Sequence, residues 1–197
     1  MKRACCILIL LFLSLLGTTL SQGGVKPMSI FGGSLESQTR STEINSDSDI
    51  YGWLIGSWRV RTIDYLKDGS KKETESEWHF ARVLEGRAIQ DVYIVPSRHH
   101  RPASNERNRY GTSLRYYDSD IGAWRVTWIN PVSHVENHLI GRKVGNEIIQ
   151  EGRDEDGSLM RWCFRDITSN SFRWTGEISN DRGKTWHLGA EFFGEKM

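Results

Sequence analysis

From Trp58 to Phe192 the chain repeatedly alternates large apolar side chains with charged or polar ones at a period of two. Trp58 and Val60 alternate with Arg59 and Arg61, and Trp78 and Phe80 with Glu77 and His79. Trp124, Val126 and Trp128 alternate with Arg125 and Thr127, and Trp162 and Phe164 with Arg161 and Arg165. Phe172, Trp174 and Ile178 are set against Arg173, Thr175 and Glu177; Trp186, Leu188, Ala190 and Phe192 against His187 and Glu191. Successive side chains of a strand point to opposite faces, so each segment has one aromatic and one charged face, the pattern of a half-buried antiparallel strand.

Turn signals separate these segments: Asp68-Gly69, Glu85-Gly86, Asp120-Ile121-Gly122, Gly145-Asn146, Asp156-Gly157, Thr168-Ser169-Asn170 and Asp181-Arg182-Gly183. No long segment carries a helical period; only Asp49 to Gly56 suits a short helical turn, with Asp49 as its cap. A run of short strands in sequence order reads as a meander, and a long sheet with one aromatic face loses its exposed edges by closing on itself. The expected fold is therefore all-β, an antiparallel up-and-down β-barrel of about 8 to 10 strands. A chain of 197 residues is too short for a TIM barrel or a multi-blade propeller. A net charge of +1, with no block of Lys or Arg, supplies no electrostatic basis for binding nucleic acid. The hairpin Ser179-x-Asp181-x-Gly183-x-Thr185-Trp186 resembles the Asp-box of sialidase-type propellers, in which Asp caps backbone N–H groups and Trp packs beneath; it is a folding device without chemistry.

The N-terminus reads differently. Lys2 and Arg3 precede an apolar run from Ala4 to Leu16, followed by small and polar residues, which is the order of a secretory signal. The run is shorter than the roughly 20 residues that span a bilayer, so it is expected to be cleaved, best after Thr19-Leu20-Ser21. The expected organisation is a signal peptide at 1–21, a flexible Gly- and Ser-rich linker at 22–49 and a barrel domain at 50–195. The mature protein is then secreted or periplasmic, without a membrane span. Cleavage would remove Cys5 and Cys6 and leave Cys163, read as a small core or wall residue, with no disulfide framework.

Several stretches together resemble a known fold family. Trp53-Leu54-Ile55-Gly56-Ser57-Trp58 is similar to the Gly-x-Trp entry of lipocalin-like (calycin) barrels. Leu84-Glu85-Gly86-Arg87-Ala88-Ile89-Gln90-Asp91, Leu114-Arg115-Tyr116-Tyr117-Asp118 and Trp124-Arg125-Val126-Thr127-Trp128 resemble one uncharacterised branch of such barrels. So do Arg161-Trp162-Cys163-Phe164-Arg165-Asp166-Ile167 and Ser171-Phe172-Arg173-Trp174. The resemblance runs from about Ile50 to Phe193 and implies a lipocalin/calycin-like barrel of unknown function, with no catalytic residues to carry over.

With the aromatic faces inward, Trp58, Trp78, Trp124, Trp128, Trp162, Trp174 and Trp186 form the wall of a lumen wide enough for a small guest. Unpaired buried guanidinium groups are costly, so Arg59, Arg115, Arg125, Arg161 and Arg173 are expected outside; pointing inward, they would make a polar cavity for an anion. The ligand-binding candidates are Trp58, Trp78, Trp124, Trp128, Trp162 and Trp174 from that wall, with Arg115, Asp91 and Tyr93. Asp91 lies on a strand apolar on both faces, which requires a raised pKa or a hidden Arg partner. The basic loop Ser97 to Arg109 could rim a barrel mouth. His134, Glu136 and His138 would share one face of a strand, but residues i and i+4 are about 13 Å apart there, so no metal site is expected. No cofactor is expected either. A heme reading through His187 or His79 needs the inverted orientation. No nucleophile-elbow, phosphate-loop or zinc-protease motif is present. The function expected is binding of a small apolar or amphipathic molecule by an exported barrel. The alternatives are an isomerase- or cyclase-type lumen enzyme using Asp91 or Tyr93, and a heme-binding barrel. Oligomeric state is not legible.

Overall fold

The computed structural model describes residues 29–99, 109–154 and 156–197. The expected signal peptide lies outside the described residues, as does most of the basic loop.

Among these residues eleven strands follow one short helix, α1 (Ile30–Leu35). They are β1 (Glu36–Ser37), β2 (Gly56–Tyr65), β3 (Lys71–Val83), β4 (Ala88–Val95), β5 (Arg109–Asp118), β6 (Ala123–Asn130), β7 (Val135–Val144), β8 (Glu147–Arg153), β9 (Leu159–Arg165), β10 (Ser171–Ser179) and β11 (His187–Lys196). From β2 onward each strand pairs antiparallel with the next, and β11 pairs back onto β2, closing a ten-strand up-and-down barrel. β1 is an extra strand on the β2 side of β3, where Glu36 and Ser37 face Val83 and Arg82. Closure leaves the ten barrel strands without a free edge. The hairpins turn where the sequence signals them: Gly69, Gly86, Gly122, Gly145, Gly157 and Gly183 all have positive φ.

The aromatic faces point inward. Cross-strand partners share a face, so the registers Trp58↔Trp78, Trp78↔Tyr93, Trp162↔Gly176 and Trp174↔Phe192 put these rings in one interior. Outside, the charged residues pair along the ladders: Arg161 with Glu177, Arg173 with Glu191, and Arg125 with Asp118. Trp186 departs from the expected wall, because it precedes β11 and packs under the outward Arg161 guanidinium, 3.9 Å from its ring centroid. The Asp-box chemistry holds. Asp181 accepts from the Thr185 N–H at 2.9 Å and Gly183 N–H donates to Ser179 Oγ at 2.8 Å. The Thr185 hydrogen bonds hold the Asp181 carboxyl down at about 2.

The two ends of the barrel differ. The segment expected to be linker joins the sheet through β1, and residues 44–54, which run from its end into the expected barrel domain, plug the end where β2 begins. Ile44, Tyr51 and Leu54 are buried there. The Trp124 indole N–H donates to Ser48 O and the Trp58 N–H to Leu54 O, both at 2.7 Å. The expected helical turn is a single 3-10 turn, Gly52–Leu54, and Asp49 does not cap it. Its carboxylate instead takes the Arg82 guanidinium at 2.6 Å, tying plug to wall. The N-cap position of that turn is Tyr51, two residues after Asp49, and the Asp49 oxygens go to the largely buried ion pair.

Candidate functional site

Above the plug the lumen is not filled. A cavity of about 250 Å³ remains in the half of the barrel nearer the other end, bounded by Trp78, Tyr93, Trp128, Trp162, Trp174 and Phe192. The rings form a continuous band. Trp162 and Trp174 are 5.7 Å apart between centroids, Trp174 stacks on Phe192 at 4.3 Å, and Phe192 stacks on Tyr93 at 5.0 Å. Trp128 adjoins Tyr93 at 6.4 Å. Interior glycines let large rings lie flat against the wall. A Cβ on Gly111 would come within 2.4 Å of the Trp128 indole, and one on Gly176 within 2.8 Å of the Trp174 indole.

The polar members of the cavity come chiefly from β5. Ser113 and Arg115 point inward, while Leu114 and Tyr116 on the same strand point out, reversing the pattern of the neighbouring strands. Arg115, expected outside by cost, is inside because Asp91 faces it. The two form an ion pair with both side chains almost wholly buried. Asp91 also accepts from the Ser113 backbone N–H at 3.1 Å, so each of its oxygens is engaged. Arg115 lies over the rings of Tyr51 and Phe80, with its carbon 5.5 and 5.7 Å from their centroids. Removal of either partner would leave the other buried without its counter-charge.

Tyr93 presents its ring to the cavity and uses its hydroxyl elsewhere, in a bond of 2.6 Å to Thr62 Oγ1, which in turn meets Ser76 Oγ at 2.7 Å. Burial pushes the Tyr93 hydroxyl up to about 12, so it stays protonated at neutral pH. At the mouth Arg109, from the start of β5, reaches Asp64 at the end of β2 with two hydrogen bonds of 2.9 and 2.7 Å. Asn130, Ser133, Val135 and Ala190 complete the rim.

Six of the nine side chains expected to bind a ligand therefore lie on one cavity: Trp78, Trp128, Trp162, Trp174, Tyr93 and Arg115. Trp58 and Trp124 are inside the barrel but in its plugged half, packed on Trp53 and Phe172 and on Tyr51 and Tyr117 respectively. Asp91 stands behind Arg115 and does not line the cavity. Sequence reasoning passed over Ser113 and Asn130, although both continue the inward period of residues it singled out; Phe192 was in the alternation but not among the binding candidates. Arg109 was seen only as part of a basic loop. Of that loop Arg98 is also described: its side chain and backbone N–H grip Glu77 outside the barrel, holding that carboxyl down at about 2.

Among the described residues no histidine lines the cavity. His79 faces outward between Glu77 and Ser57, and His187 is exposed at the start of β11. His134 falls in the β6–β7 turn rather than on the strand, while Glu136 and His138 pair on the outer face of β7. Among the described residues no group of three or more His, Cys, Asp or Glu side chains gathers to hold a metal ion. Cys163 is buried on the outward side of β9, and burial raises its pKa.

Comparison with known proteins places the scaffold. No family model and no curated protein matches the sequence. Solved structures do match. The S-type phycobiliprotein lyase CPES from Guillardia theta superposes with a TM-score of 0.52 at 12% identity, over 78% of this chain and 93% of that one. Rv2717c from M. tuberculosis superposes with a TM-score of 0.53 at 13% identity, over 78% of this chain and 99% of that one. The protein has a calycin-like antiparallel barrel fold.

Proposed function

We propose that this protein is an exported binding barrel of the uncharacterised calycin-like branch its sequence resembles, holding one small apolar or amphipathic molecule in the ring-walled cavity. The observation that carries the reading is the division of the lumen: one half is packed solid by the plug, and the other keeps about 250 Å³ between stacked aromatic faces. That volume sits just under the roughly 300 Å³ lower end of ligand pockets and suits a flat guest of two or three fused rings. Rings that served only as core would be expected to close the space, since interiors pack to crystal density. Ligand-holding barrels such as the lipocalins share this architecture. Export rests on the Lys2-Arg3 start and the Ala4–Leu16 apolar run.

The lumen-enzyme alternative is less well supported, because the groups it needs are committed. Asp91 is held by Arg115 and the Ser113 N–H, and the Tyr93 hydroxyl is a weak acid engaged with Thr62. The heme alternative lacks a histidine directed at the cavity among the described residues.

Titration with the fluorescent apolar dye 1-aminoanthracene tests the binding reading. Saturable enhancement at one dye per chain is expected, abolished in Ala190→Trp, whose indole would occupy the cavity, while the circular dichroism spectrum is unchanged. An enhancement that never saturates, or that survives Ala190→Trp, overturns it. Intact mass of the protein from its own host, measured by compartment, tests export: a chain beginning at Gln22 outside the cytoplasm is expected, and an uncleaved cytoplasmic chain overturns it.

A further inference from the structure

Resting on that reading, we propose that the guest is uncharged, flat and equipped with a hydrogen-bond acceptor, and that Asp91 sets this preference by neutralising Arg115. Two cationic side chains line the cavity among the described residues, and neither is available to an anion. Arg115 is paired with Asp91, and Arg109 is doubly hydrogen-bonded to Asp64 across the mouth. A carboxylate guest would shed its water into an aromatic enclosure whose positive charge is already balanced, and desolvation of an ion without a counter-charge is strongly unfavourable.

Donors, by contrast, are in surplus. The Trp78 indole N–H and the Arg115 Nε–H belong to side chains that line the cavity and have no hydrogen-bond partner in the structure; both are covered in their present rotamers, so a guest acceptor meets them by a small turn of the side chain. Asp91 is engaged by Arg115 and Ser113, Ser113 Oγ by Arg115 at 3.4 Å, and Asn130 Oδ1 by the Val132 N–H at 3.0 Å; the buried acceptors left without a partner, Gln150 Oε1 and the Tyr51 hydroxyl, belong to side chains that do not line the cavity. An unpaired buried donor is costly, and native interiors rarely leave one. A carbonyl on a flat guest held between Trp128 and Trp174 supplies an acceptor without bringing a charge. A pure hydrocarbon would fill the same space and leave both donors unpaired. Such a site discriminates between isosteric guests by the groups that it would strand.

Competition against bound 1-aminoanthracene with three probes of one ring body, naphthalene, 2-naphthamide and 2-naphthoate, separates these possibilities. In the wild-type chain 2-naphthamide is expected to displace the dye at about a tenfold lower concentration than either of the others, the scale of one hydrogen bond or more. In Asp91→Asn, which frees the Arg115 charge, 2-naphthoate is expected to gain at least about tenfold over 2-naphthamide. Trp78→Phe keeps the ring and removes the donor. It is expected to weaken 2-naphthamide while leaving naphthalene unchanged, and it decides the matter if Asp91→Asn fails to fold. Equal displacement by naphthalene and 2-naphthamide, or tightest binding of 2-naphthoate to the wild-type chain, overturns the proposed guest class while leaving the binding barrel intact. Failure of 1-aminoanthracene itself to bind overturns both.

Discussion

Gly111 and Trp128 are cross-strand neighbours whose sizes were chosen together. A methyl group at Gly111 would meet the indole at 2.4 Å and the Ile129 carbonyl at 2.6 Å, so the indole must swing off the wall. Gly111→Ala is expected to cost about 1–3 kcal/mol in chemical denaturation, the range of overpacked sites. It should also weaken 1-aminoanthracene at least tenfold, as Trp128 takes the guest's space. At this scale the aromatic wall was legible, because the Trp residues that form it sit at period-two positions within strands; Trp186, one residue ahead of β11, shares the period and not the wall. The polar half of the cavity was less so. Arg115 has Leu114 and Tyr116 beside it, and by burial cost alone the guanidinium belongs in water and those two inside; only its pairing with Asp91, from the neighbouring strand, reverses the order. Alternation within one strand carries no information about such a cross-strand partner.

At the level of elements, the ladder on the barrel's outer surface is held by charge. Glu77 on β3 binds both the side chain and the backbone N–H of Arg98, fastening the chain just after β4 to the wall. Its folded-state pKa, about 2, lies below the unfolded value of about 4.3. The ionised carboxylate therefore adds stability above that unfolded value, and the contribution is lost as pH falls from there toward 2. Glu77→Gln is accordingly expected to be less stable than wild type in urea at pH 7, with the gap closing by pH 2.5. A gap independent of pH would show that the side chain matters for packing rather than charge. The ten barrel strands were legible from hairpin chemistry and alternation, since both are local. The plug was not. Ile44 is an isolated apolar residue in a stretch whose composition reads as linker, and Tyr51 and Leu54 stand without a period in the short turn ahead of β2; Tyr51 is buried against Trp124 and Phe164, rings distant in sequence.

For the whole molecule, that difference moves the boundary of the folded unit. A chain beginning at Ile50, where alternation suggests the domain starts, keeps every barrel strand but loses Ile44, the Ser48 carbonyl under Trp124 and the Asp49–Arg82 pair. Such a truncation is expected to lower Tm by about 10 °C or more, several kcal/mol spread over roughly 150 residues. A chain beginning at Ser29 should match the longer one. Equal melting of the two truncations would show that the plug adds nothing to the barrel.

The plug also bears on how the protein comes to be made. Tyr51 and Trp53 rest against Phe164 and Phe172, rings contributed by β9 and β10. During synthesis the stopper emerges from the ribosome well before the strands it rests against, and it waits in solvent until they arrive. Sealing the vessel thus requires β9 and β10 to be in place, and until then the apolar side of the stopper lacks the rings that cover it.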